Sequence, residues 1–322
     1  MRASPVKANR ATSRFHRLAL VGYLLNMAMS LDDCRRFYAE EIRFSANIQN
    51  AAALVEAFAR VPREDFLGPG PWKIASVDIG GGGTIYIPTE DSDPRHIYHN
   101  LPVALDSSRD LNNGQPAALA KWIDAIGLKA GDRIFHLGCG VGYYTAIMAE
   151  VVGSGGSVIA SEIDADLAAR AKANLKEYPN VEVHSGDGAT LNPGACDAIL
   201  INAGVTHPHS NWLDGLKENG RLLLPLTIPM GMGMGANLGK GVMVKITREP
   251  GGFSAQVATF VAIYSCASVR DPQLEPLLGK ALATGALLKI KSLRRGWHPV
   301  AETCVVHGNE LCLSTAPLAA VG

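Results

Sequence analysis

A short apolar strand at 133–137 runs directly into Gly138-Cys139-Gly140-Val141-Gly142, and an apolar helical stretch at 143–152 follows at once. That junction restricts the fold more than any other feature. Residues without Cβ let the chain turn sharply between strand and helix and bring its backbone close to a ligand. The alternation then repeats. Strands are predicted at 157–161, 181–185, 197–202 and 221–226, with helices at 164–177 and 212–218, the latter ended by Asn219-Gly220. Strands this short and β-branched, without polar alternation, are covered on both faces, so a mostly parallel sheet flanked by helices is expected. A terminal hairpin, 241–248 and 253–266 around Pro250-Gly251-Gly252, brings the count to seven strands. The fold class is therefore α/β, Rossmann-like, with helices on both faces of a seven-stranded sheet.

The glycine turn discriminates between nucleoside ligands. A dinucleotide fingerprint has the spacing G-x-G-x-x-G, whereas here Tyr143 stands where the third glycine belongs. The shorter spacing suits S-adenosyl-L-methionine, which has no pyrophosphate but whose carboxylate can use the helix N-terminus and free backbone N–H groups. Two acids lie just past predicted strand ends, the edge where open α/β sheets bind ligands. Glu162, with Ile163 beside it, is placed to accept both ribose hydroxyls, with Asp164 as the fallback; Asp187, between Gly186 and Gly188, is placed to accept from the adenine amino group. The cofactor-side set is thus His136, Gly138, Cys139, Gly140, Gly142, Tyr143, Glu162, Ile163, Asp187 and Gly188. Within it His136 reads either as a cofactor contact or, the preferred reading, as a satisfied buried histidine.

From about Asn50 to Cys266 the chain resembles the protein-L-isoaspartate O-methyltransferase family of class I methyltransferases. The matching text is Arg60-Val61-Pro62-Arg63 with Phe66, Gly138 to Tyr143, Glu162-Ile163-Asp164, Gly186-Asp187-Gly188 and the run LKENGRLLLP at 216–225. The resemblance implies that family's rearranged sheet order and a methyl acceptor that is the carboxylate of a damaged aspartyl residue in a protein or peptide. Asn112, Asn113, Gly114 and Gln115 occupy the acceptor-side position, where the family usually reads T-I-S-Q-P, so Gly114 replaces the active-site serine. A carboxylate needs little general-base help, so this loss removes positioning rather than chemistry. Two alternatives follow: methyl transfer to a small metabolite or peptide natural product, and a non-catalytic module that keeps the cofactor site.

Thirty basic and thirty acidic side chains cancel, which excludes a global field for nucleic acid or an anionic membrane. Six scattered cysteines form no C-x-x-C pair and fit a reducing cytoplasm. Residues 1–30 form a basic and then apolar arm, too short to span a bilayer and read as a frayed helix or a start placed too early. Residues 31–115 are expected to be a helical cap with a substrate-side loop, 116–268 the methyltransferase domain, and 269–322 an extension with one helix near 272–288. Cys304, His307 and Cys312 lack a standard zinc spacing and a fourth ligand, so no metal is assigned. The glycine-rich stretch 231–241 lacks a phosphate-loop pattern. His207 and His209 are candidates to orient an acceptor carboxylate.

Overall fold

The structure is a computed structural model that describes residues 29–77, 84–230 and 237–318. Most of the N-terminal arm, the run Gly80–Gly83 and Met232 and Met234 lie outside these residues. The chain opens with helices α1 (Leu31–Ser45), α2 (Ala52–Arg60) and the single turn α3 (Glu64–Leu67). Ser30 caps α1 by a capping box, its hydroxyl accepting from the Asp33 N–H while the Asp33 carboxylate accepts from the Ser30 N–H. Pro62, lacking a donor, follows the end of α2, as its position predicts.

Two hairpins that carry no signal in the sequence follow, β1 (Lys73–Val77) with β2 (Thr84–Pro88), and β3 (Ala104–Asp106) with β4 (Leu111–Asn112). The α/β unit follows in order: α4 (Pro116–Ile126), β5 (Arg133–Leu137), α5 (Tyr143–Val152), β6 (Ser157–Glu162), α6 (Ala165–Asn174), β7 (Val181–Ser185), β8 (Cys196–Ile201), α7 (Ser210–Asp214), β9 (Leu216–Pro229), β10 (Leu238–Glu249) and β11 (Gly252–Tyr264). The last segment carries α8 (Leu274–Ala283), β12 (Ser292–Arg295), β13 (Cys304–His307) and β14 (Leu311–Ser314).

Among the described residues the main sheet has ten strands, ordered β13-β14-β12-β11-β10-β9-β8-β5-β6-β7. The seven expected strands are all present. Neighbours from β7 through β9 pair in parallel, β10 and β11 close as the expected hairpin, and the final three strands prolong the same sheet beyond β11. The predicted helix at 212–218 is shorter than expected, because Gly215 ends α7 and Lys217–Gly220 form a bulge early in β9. There the pairing jumps from Cys196–Leu216 to Ala198–Arg221, and Asn219 takes a left-handed φ of 59°.

Alternate residues of one strand enter different cores. Ile134, Ala198, Leu200 and Leu223 pack under α1, α2, α4 and α5, whereas Phe135, Ile199, Ile201, Leu222 and Leu224 pack against Trp212 and α8. Burial on both faces leaves only the strand ends open, and that geometry sends any ligand to the sheet's carboxyl edge.

Candidate active site

At the tip of β5 the Gly138 and Cys139 N–H groups both donate to the Ser161 carbonyl, at 2.8 and 3.1 Å, which locks the turn against the end of β6. Gly138 has φ +77°, and an added Cβ would lie 3.1 Å from the Asn202 carbonyl oxygen just past β8, so a side chain there is strained by the backbone and crowded by its neighbour. The Asn202 side chain closes the contact by donating to the Gly138 carbonyl at 3.1 Å. Glu162, 7% exposed, accepts from the Gly140 N–H at 2.8 Å on one carboxylate oxygen and from the Asp164 N–H at 3.0 Å on the other. Each oxygen keeps a lone pair for a hydroxyl. Asp187 uses one oxygen in a turn, accepting from the Ala189 N–H at 2.9 Å. Beside Glu162, the Ile163 side chain is exposed.

These groups line one cavity of about 1170 Å³ that also takes in residues 109–115, Asn202, Ala203 and the end of β11 from Thr259 to Cys266. Its roof is the β3–β4 hairpin, tied down at both ends. Arg109 pairs with Asp106 within the hairpin and with Asp164 at the start of α6. The Leu167 N–H and the Arg109 guanidinium hold the Asp164 carboxyl below its ordinary range. On the other side the Tyr264 hydroxyl donates to the Asp110 carbonyl, and the Asn112 amide donates to the Tyr86 hydroxyl at 3.0 Å. Asn113 accepts from the Val103 N–H at 2.8 Å and from the buried Arg63, leaving its Nδ2 buried and without a partner. Arg63 also donates to the carbonyls of Ile97, His99 and Leu101, which fixes the chain that leads into the hairpin.

Gly114 is not a serine position with the side chain trimmed away. Its φ is +78°, and a Cβ built on it would stand 2.9 Å from the Leu119 Cδ2. Gln115 precedes α4 and is exposed.

Some expected site residues belong elsewhere. His136 is fully buried away from the cavity lining, with Nδ1 against the Thr145 hydroxyl at 2.9 Å, and burial lowers its pKa to about 3, so it is a core histidine. Tyr143 borders the cavity, yet its ring packs edge-on against Phe58, Phe66 and Tyr144 and anchors the N-terminal helices. Cys139 lines the turn as a buried thiol whose pKa burial raises. Asp164, the fallback for ribose, spends one oxygen capping α6 and the other on Arg109. His207 and His209 lie outside the cavity lining; His209 caps α7, and the His207 ring faces the Thr206 hydroxyl. Sequence reasoning missed Arg109, Tyr86, Tyr264 and Asn202, which meet only through pairings distant in the chain.

Residues 40–234, more than half of the chain, match the family model described as Protein-L-isoaspartate(D-aspartate) O-methyltransferase. The chain belongs to this family. Protein-L-isoaspartate O-methyltransferase 2 of Archaeoglobus fulgidus is 28% identical over 202 residues, covering 62% of this chain and 80% of that protein. The Gloeobacter violaceus protein-L-isoaspartate O-methyltransferase is 30% identical over 210 residues, covering 64% and 85%. A solved structure described as a Plasmodium falciparum protein-L-isoaspartate O-methyltransferase in complex with S-adenosyl-L-homocysteine shares the fold, with TM-score 0.53, 19% identity and coverage of 72% and 97%.

As a member of this family the protein is an S-adenosylmethionine-dependent methyltransferase. The residues present fit that cofactor. A Cβ at Gly140 would meet no protein atom within 4 Å, so the turn presents bare backbone. The buried Ser161 hydroxyl on the cavity wall has no partner among the described residues, and Glu162 retains acceptor capacity. The volume exceeds the roughly 300–1,000 Å³ of ordinary ligand sites, which leaves room for a second molecule. No described helix is long and apolar enough to cross a membrane.

Proposed function

We propose that this methyltransferase esterifies a carboxylate on a protein or peptide, the acceptor being an isoaspartyl side group. Gly138 and Gly140 would hold the methionine end of the cofactor, Glu162 the ribose, Asp187 the adenine amino group, and Asn112–Gln115 the acceptor. Gly142, outside the cavity lining, with its N–H on the Cys139 carbonyl and its open face on Leu175, serves the turn itself. One observation carries this reading: a single cavity joins the glycine cradle and Glu162 to the segment 112–115, so both substrates have walls in one space. Bound there, S-adenosylmethionine supplies an electrophilic sulfonium methyl group. An acceptor carboxylate, with an ordinary pKa of about 4, is already anionic at neutral pH, so the protein's task is to place an oxygen in line. The hairpin's own bonds consume Asn112. Two amides remain for an acceptor, the exposed Gln115 and the unpartnered Nδ2 of Asn113.

The test supplies labelled cofactor with an isoaspartyl peptide and its normal aspartyl twin. A base-labile label on the former alone supports the proposal; a protein that binds the cofactor and labels neither peptide refutes the isoaspartyl acceptor. Gly114 favours a second reading, transfer to a peptide natural product or small metabolite, because its left-handed backbone and the nearby Leu119 exclude a serine without rearrangement. Turnover on a panel of such acceptors, without turnover on isoaspartyl peptides, would establish it.

A further inference from the structure

Four side chains that the methyltransferase site does not use converge in the C-terminal extension. His298, Cys304, His307 and Cys312 bring one ligand atom each to within 4.8 Å of one another. The sequence offered only three of them as a group. The fourth, His298, lies in the loop between β12 and β13, and the fold carries it back to the β13–β14 hairpin, where His307 and Cys312 are register partners. None of the four lines the methyl-transfer cavity.

We propose that these residues form a structural zinc site. Two thiolates and two neutral imidazoles are a tetrahedral zinc set, and the paired negative charges cancel that of the ion, which makes burial affordable. His298 Nε2 and His307 Nδ1 are both buried and have no partner among the described residues, a costly arrangement unless something accepts their lone pairs. At the same time His298 Nδ1 lies 2.8 Å from the Pro299 carbonyl, which fixes the proton there and leaves Nε2 as the ligand atom. The Ala301 N–H donates to the Cys304 sulfur at 3.3 Å, the contact a metal-bound thiolate receives from backbone. A tetrahedral ion at bond lengths of about 2.0–2.3 Å sets ligand atoms roughly 3.3–3.8 Å apart, so the cluster closes by about 1 Å on binding. With four protein ligands no coordination position stays open, so the ion's role is to staple. It ties β13 and β14 to the loop after β12, a strand that pairs with β11 at only two residue positions.

The test uses the full chain, purified under reducing conditions without chelator. Elemental analysis is expected to find about one zinc ion per chain, and cobalt exchange to give a tetrahedral d–d spectrum with thiolate charge transfer. Cys304→Ser and His307→Ala should each lose the metal, whereas Cys34→Ser, in α1, should keep it. Because a variant can misfold, the wild-type protein is also melted with and without a chelator, and a lower Tm with chelator is expected. The proposal is overturned if the reduced wild-type protein takes up neither zinc nor cobalt stoichiometrically. Retention of metal by both variants, or a Cys304–Cys312 disulfide in the intact mass of freshly purified protein, overturns it equally. These readouts do not depend on methyl transfer, so the acceptor reading stands or falls apart from them.

Discussion

Replacing Gly114 by serine restores the residue type usual in the family, and the structure says that this will damage the protein rather than repair it. A non-glycine residue at φ +78° carries about 1–2 kcal/mol of left-handed strain. The new Cβ also meets Leu119 Cδ2 at 2.9 Å, and Leu119 is itself buried. Turning that side chain off its rotamer costs a further 0.5–1.5 kcal/mol or so. The sum, about 1.5–3.5 kcal/mol, corresponds in a chain of this size to a Tm lower by roughly 2–5 °C. Urea denaturation of wild type, Gly114→Ser and Gly114→Ala, with methyl transfer to an isoaspartyl peptide measured in parallel, separates the contributions. Because the cost lies in the Cβ, alanine should destabilise about as much as serine, and neither should raise turnover. If Gly114→Ser matched the wild type in stability to within about 0.5 kcal/mol and turned over isoaspartyl peptide faster, Gly114 would be a plain side-chain loss on an unchanged backbone. The acceptor segment would then not be reshaped at this position.

Glu162→Gln sets an amide NH₂ against either the Gly140 or the Asp164 N–H and removes the charged acceptor. Losing a charge-assisted bond of about 1.5–3 kcal/mol predicts a 10- to 150-fold rise in the S-adenosylhomocysteine Kd, and an unchanged calorimetric Kd would remove Glu162 from the cofactor site. Arg109→Ala cuts the tie between the roof hairpin and α6, so the acceptor KM should rise several-fold with cofactor affinity and Tm almost unchanged; a weaker cofactor with normal KM would contradict that. Arg63→Met strands the Ile97 and Leu101 carbonyls, while that of His99 keeps the Leu101 N–H, and should cost about 2–6 kcal/mol in denaturation; a loss under about 1 kcal/mol would show that water replaces the guanidinium. His136 has a folded pKa of about 3, below its unfolded value near 6.5, so the unfolded chain binds the extra proton between these values. Its share of stability is whole above pH 6.5 and falls by up to about 1.4 kcal/mol per unit on acidification toward 3. Urea midpoints at neutral and mildly acid pH should therefore differ less in His136→Gln than in wild type, and equal differences would show that His136 does not titrate as its burial requires.

The cofactor end of the site was legible because it is local. A strand, a glycine turn and a helix are consecutive in the chain, Glu162 is the last residue of β6 and Asp187 comes two residues after β7, so parallel order alone brings them to one edge. The roof was not legible, and the reason is range. Asp164 reads as a second ribose ligand until Arg109, fifty-five residues earlier, is seen to occupy its free oxygen. The hairpin β3–β4 gives no signal in the sequence because its strands are too short to show any periodicity, and their positions are set by Arg63, Tyr86 and Tyr264 rather than by their own residues. His136 shows the opposite failure, a polar residue at the right strand end whose pleat turns it to the covered face beneath α5, where Thr145 meets it. In a sheet covered on both sides, strand-end position selects candidates, and the parity of the residue along the strand decides which of them face the ligand. Glu162 is the last residue that β6 pairs, opposite Ser185, and Gly138 lies one residue beyond the last pair of β5, so the chemistry gathers where the strands stop and not along them.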